Sequence, residues 1–258
     1  MSKKDSKNHF FFGFKNAYTL LRNGCYSVFY NEVKKRLYSK SFSFGLQRDL
    51  NKTFEAPLAT IKIHIRPLNG VDTEVLLGET ESAKGNPRII CHQRAILDAK
   101  IPTCYVAVTT NDKPCYMQWL ISFKDNYKIQ SHFKDIFPPL NPQEALLEGA
   151  YGNPEFRGLG IMPEAMSQIA EKASLLNARW VNTFVDITNI ASLKGCRRSG
   201  FEPYILRKER WFLFYRTVSF HPLPENLLDD YHLNTADNAK KTIDKNGVQA
   251  HLQPQTQN

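Results

Sequence analysis

From Thr60 the chain alternates, with Ile61, Ile63 and Ile65 on one side and Lys62, His64 and Arg66 on the other, until Pro67 ends the run. A period of two predicts a half-buried strand, and a proline closes it because it has no N–H for the ladder. Upstream, Tyr26, Phe29, Tyr30, Val33 and Leu37 recur at helical spacing opposite Lys34, Lys35 and Arg36, which predicts an amphipathic helix within residues 17–37. Residues 72–100 read as two helices broken around Gly85, Asn86 and Pro87, and 104–109 with 115–122 as an antiparallel hairpin about Asn111-Asp112-Lys113-Pro114. After Pro138, Pro139 and Pro142, residues 145–151 read as a buried strand that runs directly into Arg157-Gly158-Leu159-Gly160. A helix follows over 163–177, with Met166, Ile169, Ala170, Ala173 and Leu176 on one face and Pro163 in its first turn. Then come a strand over 180–185, a short helix over 189–199, and one or two aromatic strands over 204–218.

Composition sets the frame for these elements. A chain of 258 residues, 42% hydrophobic, suits one catalytic domain with extensions. The expected division is a basic, partly helical N-terminal extension at 1–57, the catalytic domain at 58–220, and a polar, disordered C-terminal tail at 221–258. No stretch reaches the roughly 18 apolar residues of a membrane span. The run Phe10-Phe11-Phe12 with Phe14 stops at Lys15, too short for a secretion signal. The five cysteines, at 25, 91, 104, 115 and 196, make no CxxC pair and read as free thiols in a reducing cytoplasm. The seven histidines never fall at ligand spacing, so no metal is expected. The net charge of +9 favours anions as partners in general, without choosing among nucleic acid, acidic membrane and phosphorylated ligand.

The strand–glycine turn–helix order at 145–177 bears on that choice. Such a turn gathers unpaired backbone N–H groups and the positive end of the helix dipole around one point, which suits an anion. Gly158 and Gly160 let the backbone approach a phosphate, and Arg157 adds a permanent charge. GxxxxGK followed by Ser or Thr is absent, and Gly158-Leu159-Gly160-Ile161-Met162-Pro163 breaks GxGxxG at its last glycine.

A second constellation lies downstream: Asn189, Ser192, Cys196, Gly200 and Phe201. Together with the loop and its lead Asn153-Pro154-Glu155-Phe156, it resembles the GNAT superfamily of acyl-CoA-dependent N-acetyltransferases. That family's pyrophosphate loop reads Gln or Arg, two variable residues, Gly, one variable residue, then Gly or Ala. Arg157 and Gly160 match, and Met162 departs. The downstream signature of Asn, a small residue at plus three, Tyr at plus seven and Gly-Phe at plus eleven and twelve is matched in spacing, with Cys196 where the tyrosine stands. Over residues 61–218 the resemblance implies an α/β fold, a mixed central sheet with helices on both faces, in which the family's fourth and fifth strands splay apart around the acyl-pantetheine.

The resemblance further implies a direct transfer from acetyl-CoA or another acyl-CoA to an amine of a small molecule such as an amino sugar or amino acid. Strand residues 147–151, including Ala150 and Tyr151, would face the pantetheine. Gly158, Leu159, Gly160 and Ile161 would meet the pyrophosphate with Arg157, Asn189 would bond the pantetheine arm, and Ser192 would stand near the phosphates. Glu148 is the first candidate for general base and Glu144 the second, while Cys196 is either a proton donor to the leaving thiolate or a small packed residue. Tyr116, Trp119, Tyr204, Trp211 and Tyr215 could shape the acceptor site or the core, and the basic stretch Arg197, Arg198, Arg207, Lys208 and Arg210 could greet a phosphorylated acceptor or lie in solvent. Alternatives are a silent module that binds coenzyme A or a partner, and acylation of a protein or a membrane-associated glycan precursor. The expected place is the cytoplasm, with the N-terminal helix able to lean on the acidic inner membrane face; nucleic acid is the weaker partner, and the sequence sets no oligomeric state.

Overall fold

The computed structural model describes residues 26–78 and 87–236. Within them eight strands form one mixed sheet: β1 (Tyr38–Asp49), β2 (Ile63–Pro67), β3 (Cys104–Thr109), β4 (Pro114–Ser122), β5 (Glu144–Gly152), β6 (Trp180–Asp186), β7 (Glu202–Phe212) and β8 (Tyr215–His221). Their spatial order is β2-β3-β4-β5-β6-β1-β7-β8. All neighbours are antiparallel except β5 and β6. The alternation after Thr60 becomes the edge strand β2, with Pro67 at its end, where a missing N–H costs no ladder bond. At the centre, every residue of β4 is buried, as expected of a strand covered on both faces.

Among the described residues seven α-helices accompany the sheet: α1 (Tyr26–Leu37), α2 (Gly70–Leu77), α3 (Pro87–Asp98), α4 (Asn126–Phe133), α5 (Ile161–Glu171), α6 (Ile190–Arg198) and α7 (Glu225–Thr235). On one face Ile161, Ala165, Met166 and Ile169 of α5 pack with Leu193 and Cys196 of α6 and Tyr231 of α7. On the other, Leu76 and Leu77 of α2, Ile96 of α3, and Ile129 and Phe133 of α4 close a second core around Trp119 and Leu146. Helices thus cover both faces, as the family resemblance implies.

Two expected boundaries are corrected. Residues 38–49, assigned to an N-terminal extension, are an interior strand: β1 pairs with β6 from Ser43 to Asp49 and with β7 from Tyr38 to Gln47. Its sequence, Tyr-Ser-Lys-Ser-Phe-Ser-Phe-Gly-Leu-Gln-Arg-Asp, hides this role because only Phe44 and Leu46 are large, buried and apolar, while Ser43, Gly45 and Arg48 hold the remaining buried places. The tail expected to be disordered contributes α7, whose Tyr231 is buried against Phe44 with ring centroids 5.4 Å apart and donates its hydroxyl to the Phe201 carbonyl. The apolar run at 10–14, the break at Gly85 and Asn86, and the tail beyond 236 lie outside the described residues.

Candidate functional site

β5 and β6 are joined only from Glu144 to Leu146 on one strand and Trp180 to Asn182 on the other. Beyond those positions they part, so the backbone edge of β5 from Leu147 onward faces a gap. The cause lies inside β5. Glu148 stands opposite Trp119 and Tyr151 opposite Met117, so Gly149 and Ala150 together oppose Gln118. This is a β-bulge: one extra residue bends the strand and increases its twist. Gly149 takes φ +66°, and a Cβ there would come within 2.7 Å of the Trp119 ring and 3.0 Å of Gln93 Oε1. Glycine is therefore required by both conformation and space.

A cavity of about 550 Å³ opens where the strands part. Glu148, Gly149 and Ala150 of β5 line one side, and Thr183 to Asp186 of β6 line the other. Met162 and Met166 of α5 and Asn189, Ser192 and Cys196 around α6 form a further wall, with Ile89, His92 and Gln93 of α3 at the opposite end.

Glu148 is largely buried at 17% side-chain exposure, and its Oε1 lies 3.4 Å from Nε2 of the half-exposed His92. His132 is nearby in electrostatic terms: burial pushes its pKa below the ordinary histidine value, His92 adds to that and Glu148 opposes it. Gln93 is 1% exposed, and its Oε1 has no hydrogen-bond partner among the described residues. His92 and Gln93 were not foreseen from sequence; both sit on a short helix whose spacing reported only its apolar face.

Glu144 is not brought to this cavity. Four residues back on the strand, about 13 Å away, its Oε2 accepts hydrogen bonds from Asn141 N–H at 2.8 Å and Asn141 Nδ2 at 3.0 Å, closing the turn before β5. Ala150 is exposed on the bulge. Tyr151 points instead into the second core, 4% exposed, with its hydroxyl unpartnered among the described residues and its pKa raised by burial.

The glycine loop follows a single 3₁₀ turn, Pro154–Phe156, capped by Asn153, whose side chain accepts from Glu155 N–H at 3.1 Å. Gly158 has φ +82° and Gly160 φ +73°, the latter at the N-cap of α5. The helix leaves its first N–H groups without intrahelical partners. Leu159 gives its carbonyl to Thr60 N–H at 2.8 Å, which pins the loop to the segment before β2. Arg157 is exposed. Residues 157–161 do not line the cavity itself; Met162 is where the helix start reaches it.

Met162 is accommodated from the facing helix. A Cβ on Gly195 of α6 would stand 2.9 Å from Met162 Sδ, so this mid-helix glycine makes the room the methionine occupies. Asn189 caps α6, its Oδ1 accepting from Ser192 N–H at 3.2 Å. Cys196 is 1% exposed with Sγ 3.8 Å from Met166 Sδ, and burial pushes its thiol up to about 12.

The basic stretch lends no residue to the cavity lining, although Arg207 stacks on the Phe184 ring behind it and feels the charges of Glu148 and Asp186. Arg197 donates to the His232 carbonyl and Thr235 Oγ1, and Arg207 to Ser43 Oγ and the Ile136 carbonyl between the Phe137 and Phe184 rings. Of the aromatics, Tyr116 and Trp119 are fully buried, Trp211 donates Nε1 to Glu209 at 2.7 Å, and Tyr215 is 74% exposed. The cavity wall carries the carboxylates of Glu148 and Asp186 and, among the described residues, neither lysine nor arginine. Among the described residues no group of three or more His, Cys, Asp and Glu could hold a metal ion, and no helix is long and apolar enough to cross a membrane.

No protein-family model matches the sequence, and no curated protein does. Solved structures do resemble the fold. A GCN5-related N-acetyltransferase from Sphaerobacter thermophilus is 15% identical, with TM-score 0.43 over 70% of this chain and 56% of its own. A tandem GNAT protein from the clavulanic acid biosynthesis pathway is 13% identical, with TM-score 0.44 over 77% and 59%. A GNAT-family acetyltransferase from Colwellia psychrerythraea is 12% identical, with TM-score 0.43 over 77% and 61%. The chain spans less than two thirds of the length of each of these.

Proposed function

We propose that this chain is a GNAT-type acyltransferase that moves an acetyl or acyl group from an acyl-CoA directly to a primary amine of a small molecule. The observation that carries the reading is the gap between β5 and β6, which combines an unpaired strand edge, a largely buried carboxylate beside the bulge and the starts of two helices at one cavity. An extended pantetheine can pair with the β5 edge as a strand would. The start of α5, with Gly158 and Gly160 in left-handed conformations, offers N–H groups to the pyrophosphate, with Arg157 free to add its charge. The Nδ2 of Asn189 remains for the pantetheine arm once its Oδ1 is used as a cap.

In this reading Glu148, directly or through a water, takes a proton from the ammonium of the acceptor. The freed amine attacks the thioester carbonyl, the C–S bond breaks, and the second proton that the new amide nitrogen sheds passes through water to the departing thiolate, while the proton on Glu148 returns to solvent. His92 holds Glu148 in place. Cys196 is assigned to the wall and not to proton donation: its thiol, pushed up to about 12 and packed on Met166, is a weaker acid than the thiol it would have to protonate, whose kind titrates near ~8.5. The acceptor is a cationic amine because the cavity is lined by carboxylates in a protein of net charge +9. A phosphorylated acceptor would meet the carboxylates of Glu148 and Asp186 on the cavity wall itself, with Arg207 set behind the Phe184 ring as the cation that feels both.

Mass spectrometry of products after incubating the protein with acetyl-CoA and a library of amino sugars, amino acids and polyamines tests the proposal. An adduct of the acetyl mass should form on an amine, and Glu148→Gln should slow it by about 10² or more while coenzyme binding persists. Coenzyme binding with no acylated product from any amine would favour a silent binding module instead.

A further inference from the structure

The outer end of the sheet carries a second surface, remote in kind from the cavity. Along β1 and β7, Tyr38 stands opposite Phe212 and Lys40 opposite Arg210; along β8, Tyr215 stands opposite Phe212 and Thr217 opposite Arg210. These side chains share one face of the pleat. Tyr38 is 67% exposed, Phe212 51% and Tyr215 74%. Farther along the same face α7 covers the strands where Tyr231 packs on Phe44, but α7 does not reach this end. A groove of about 310 Å³ runs between Arg210, Phe212, Tyr215 and Thr217.

Two features of this end work against folding stability. The β7–β8 hairpin turns on two residues, Leu213 and Phe214, with φ +47° and +67°. Such a turn favours Asn-Gly, because a bulky side chain is strained in the left-handed region. Here leucine and phenylalanine take it, and they are 57% and 47% exposed. They gain little burial in return, although Leu213 N–H and Phe214 N–H are tied to the carbonyls of Leu37 and Arg36 at the end of α1. In addition, Lys40 and Arg210 are like charges directly opposite one another on antiparallel strands, which destabilises a pair. Both costs are recovered if the surface meets a partner that is anionic at one depth and apolar just beyond it.

We propose that this end of the sheet docks on a lipid bilayer containing anionic headgroups, with Leu213 and Phe214 entering the boundary of the acyl chains, tyrosines at headgroup level, and Lys40 and Arg210 on the phosphates. Aromatic side chains favour that interface, and each cation near an anionic surface adds to binding. Nucleic acid would satisfy the cations and leave the apolar tip without a destination. The docking surface is the hairpin tip and the strand face beside it, not the lysine side of α1 that the sequence suggested. This inference is independent of the acyltransfer reading.

Cosedimentation of the full chain with phosphatidylcholine vesicles, with and without phosphatidylserine, tests it. Binding should require phosphatidylserine and weaken with salt. The paired substitution Leu213→Asn with Phe214→Gly gives the turn residues suited to its backbone. It should keep or raise the unfolding temperature, leave coenzyme binding unchanged, and lower vesicle affinity about tenfold or more. Lys40→Ser with Arg210→Ser should remove much of the salt dependence. The proposal is overturned if the chain ignores both vesicle types, or if it binds anionic vesicles equally well in both variants. It is likewise overturned if it binds duplex DNA but not vesicles, or if it self-associates through this face in a way the same substitutions abolish.

Discussion

Met162 and Gly195 are individually unremarkable residues whose juxtaposition defines a wall of the cavity. A methionine at a helix start that usually takes a small residue in the resembling family projects against α6, and Gly195 in the middle of that helix removes the Cβ that would collide with it. Gly195→Ala should improve helix propensity by roughly 1 kcal/mol yet force Met162 toward the cavity and weaken acyl-CoA binding. Met162→Ala in the same chain should restore binding, which a double-mutant cycle in calorimetry would report as a coupling of about 1 kcal/mol or more. Additive effects would show that the two do not compete for space. Cys196→Ala should cost about 1 to 2 kcal/mol of stability through the void beside Met166 and leave turnover nearly unchanged. A loss of 10² in kcat would return Cys196 to the role of proton donor. His132 gives a pH signature. Its folded pKa lies below the unfolded value of ~6.5, so the unfolded chain binds the proton more readily. The stability it contributes is therefore present above about pH 6.5 and is lost as the pH falls toward the folded pKa. His132→Phe should flatten that part of the acid-side decline in unfolding temperature, and an unchanged slope would mean another group carries it.

At the scale of elements, the bulge in β5 decides where the site is. Gly149→Ala places a Cβ 2.7 Å from the Trp119 ring in a left-handed residue, so it should destabilise the protein by about 1 to 3 kcal/mol and close the gap to β6. Loss of coenzyme binding well below the unfolding temperature would show both effects, whereas wild-type binding would show that β5 parts from β6 for another reason. The sequence reported the neighbours of this glycine more clearly than the glycine itself. Glu148 and Ala150 were legible from the approach to the glycine loop, and an isolated glycine in an apolar strand is itself a sign of a bulge. The strand–turn–helix order, the hairpin of β3 and β4, and the helix after Asn189 were readable because each is local. His92 and Gln93 were not, because the contact of His92 with Glu148 crosses 56 residues of chain and the place of both depends on how α3 lies across β5. Glu144 misled for the opposite reason: it is near Glu148 along the chain but a turn's cap in space.

At the scale of the whole molecule, β1 holds the two ends of the fold together. Gln47 Nε2 donates to Asn182 Oδ1 across 135 residues, and Arg48 reaches α5 and the end of α6 at once. The Arg48 guanidinium, with the residue 5% exposed, donates to Ser167 Oγ at 2.7 Å, to the Ser199 carbonyl at 3.2 Å and to Glu171 at 3.1 Å, and lies 4.7 Å from the Phe54 ring. Arg48→Met should cost roughly 3 kcal/mol, because the buried Ser167 carbonyl and hydroxyl and the Ser199 carbonyl lose this donor. Chemical denaturation should report a lower midpoint with an unchanged slope. A shift under 1 kcal/mol would mean that β1 is held by its ladders alone.

The place of β1 also sets an order of events during synthesis. Residues 38–49 leave the ribosome more than a hundred residues ahead of their two neighbours in the sheet, β6 and β7. Until those emerge the strand has two unsatisfied edges, and the half of the sheet that includes it has no native partner to offer. Closure of the sheet around β1 therefore waits on distant contacts, which slow folding. In the cell, the serines and charges that made β1 hard to recognise would also be what keeps the waiting strand from pairing with another nascent chain.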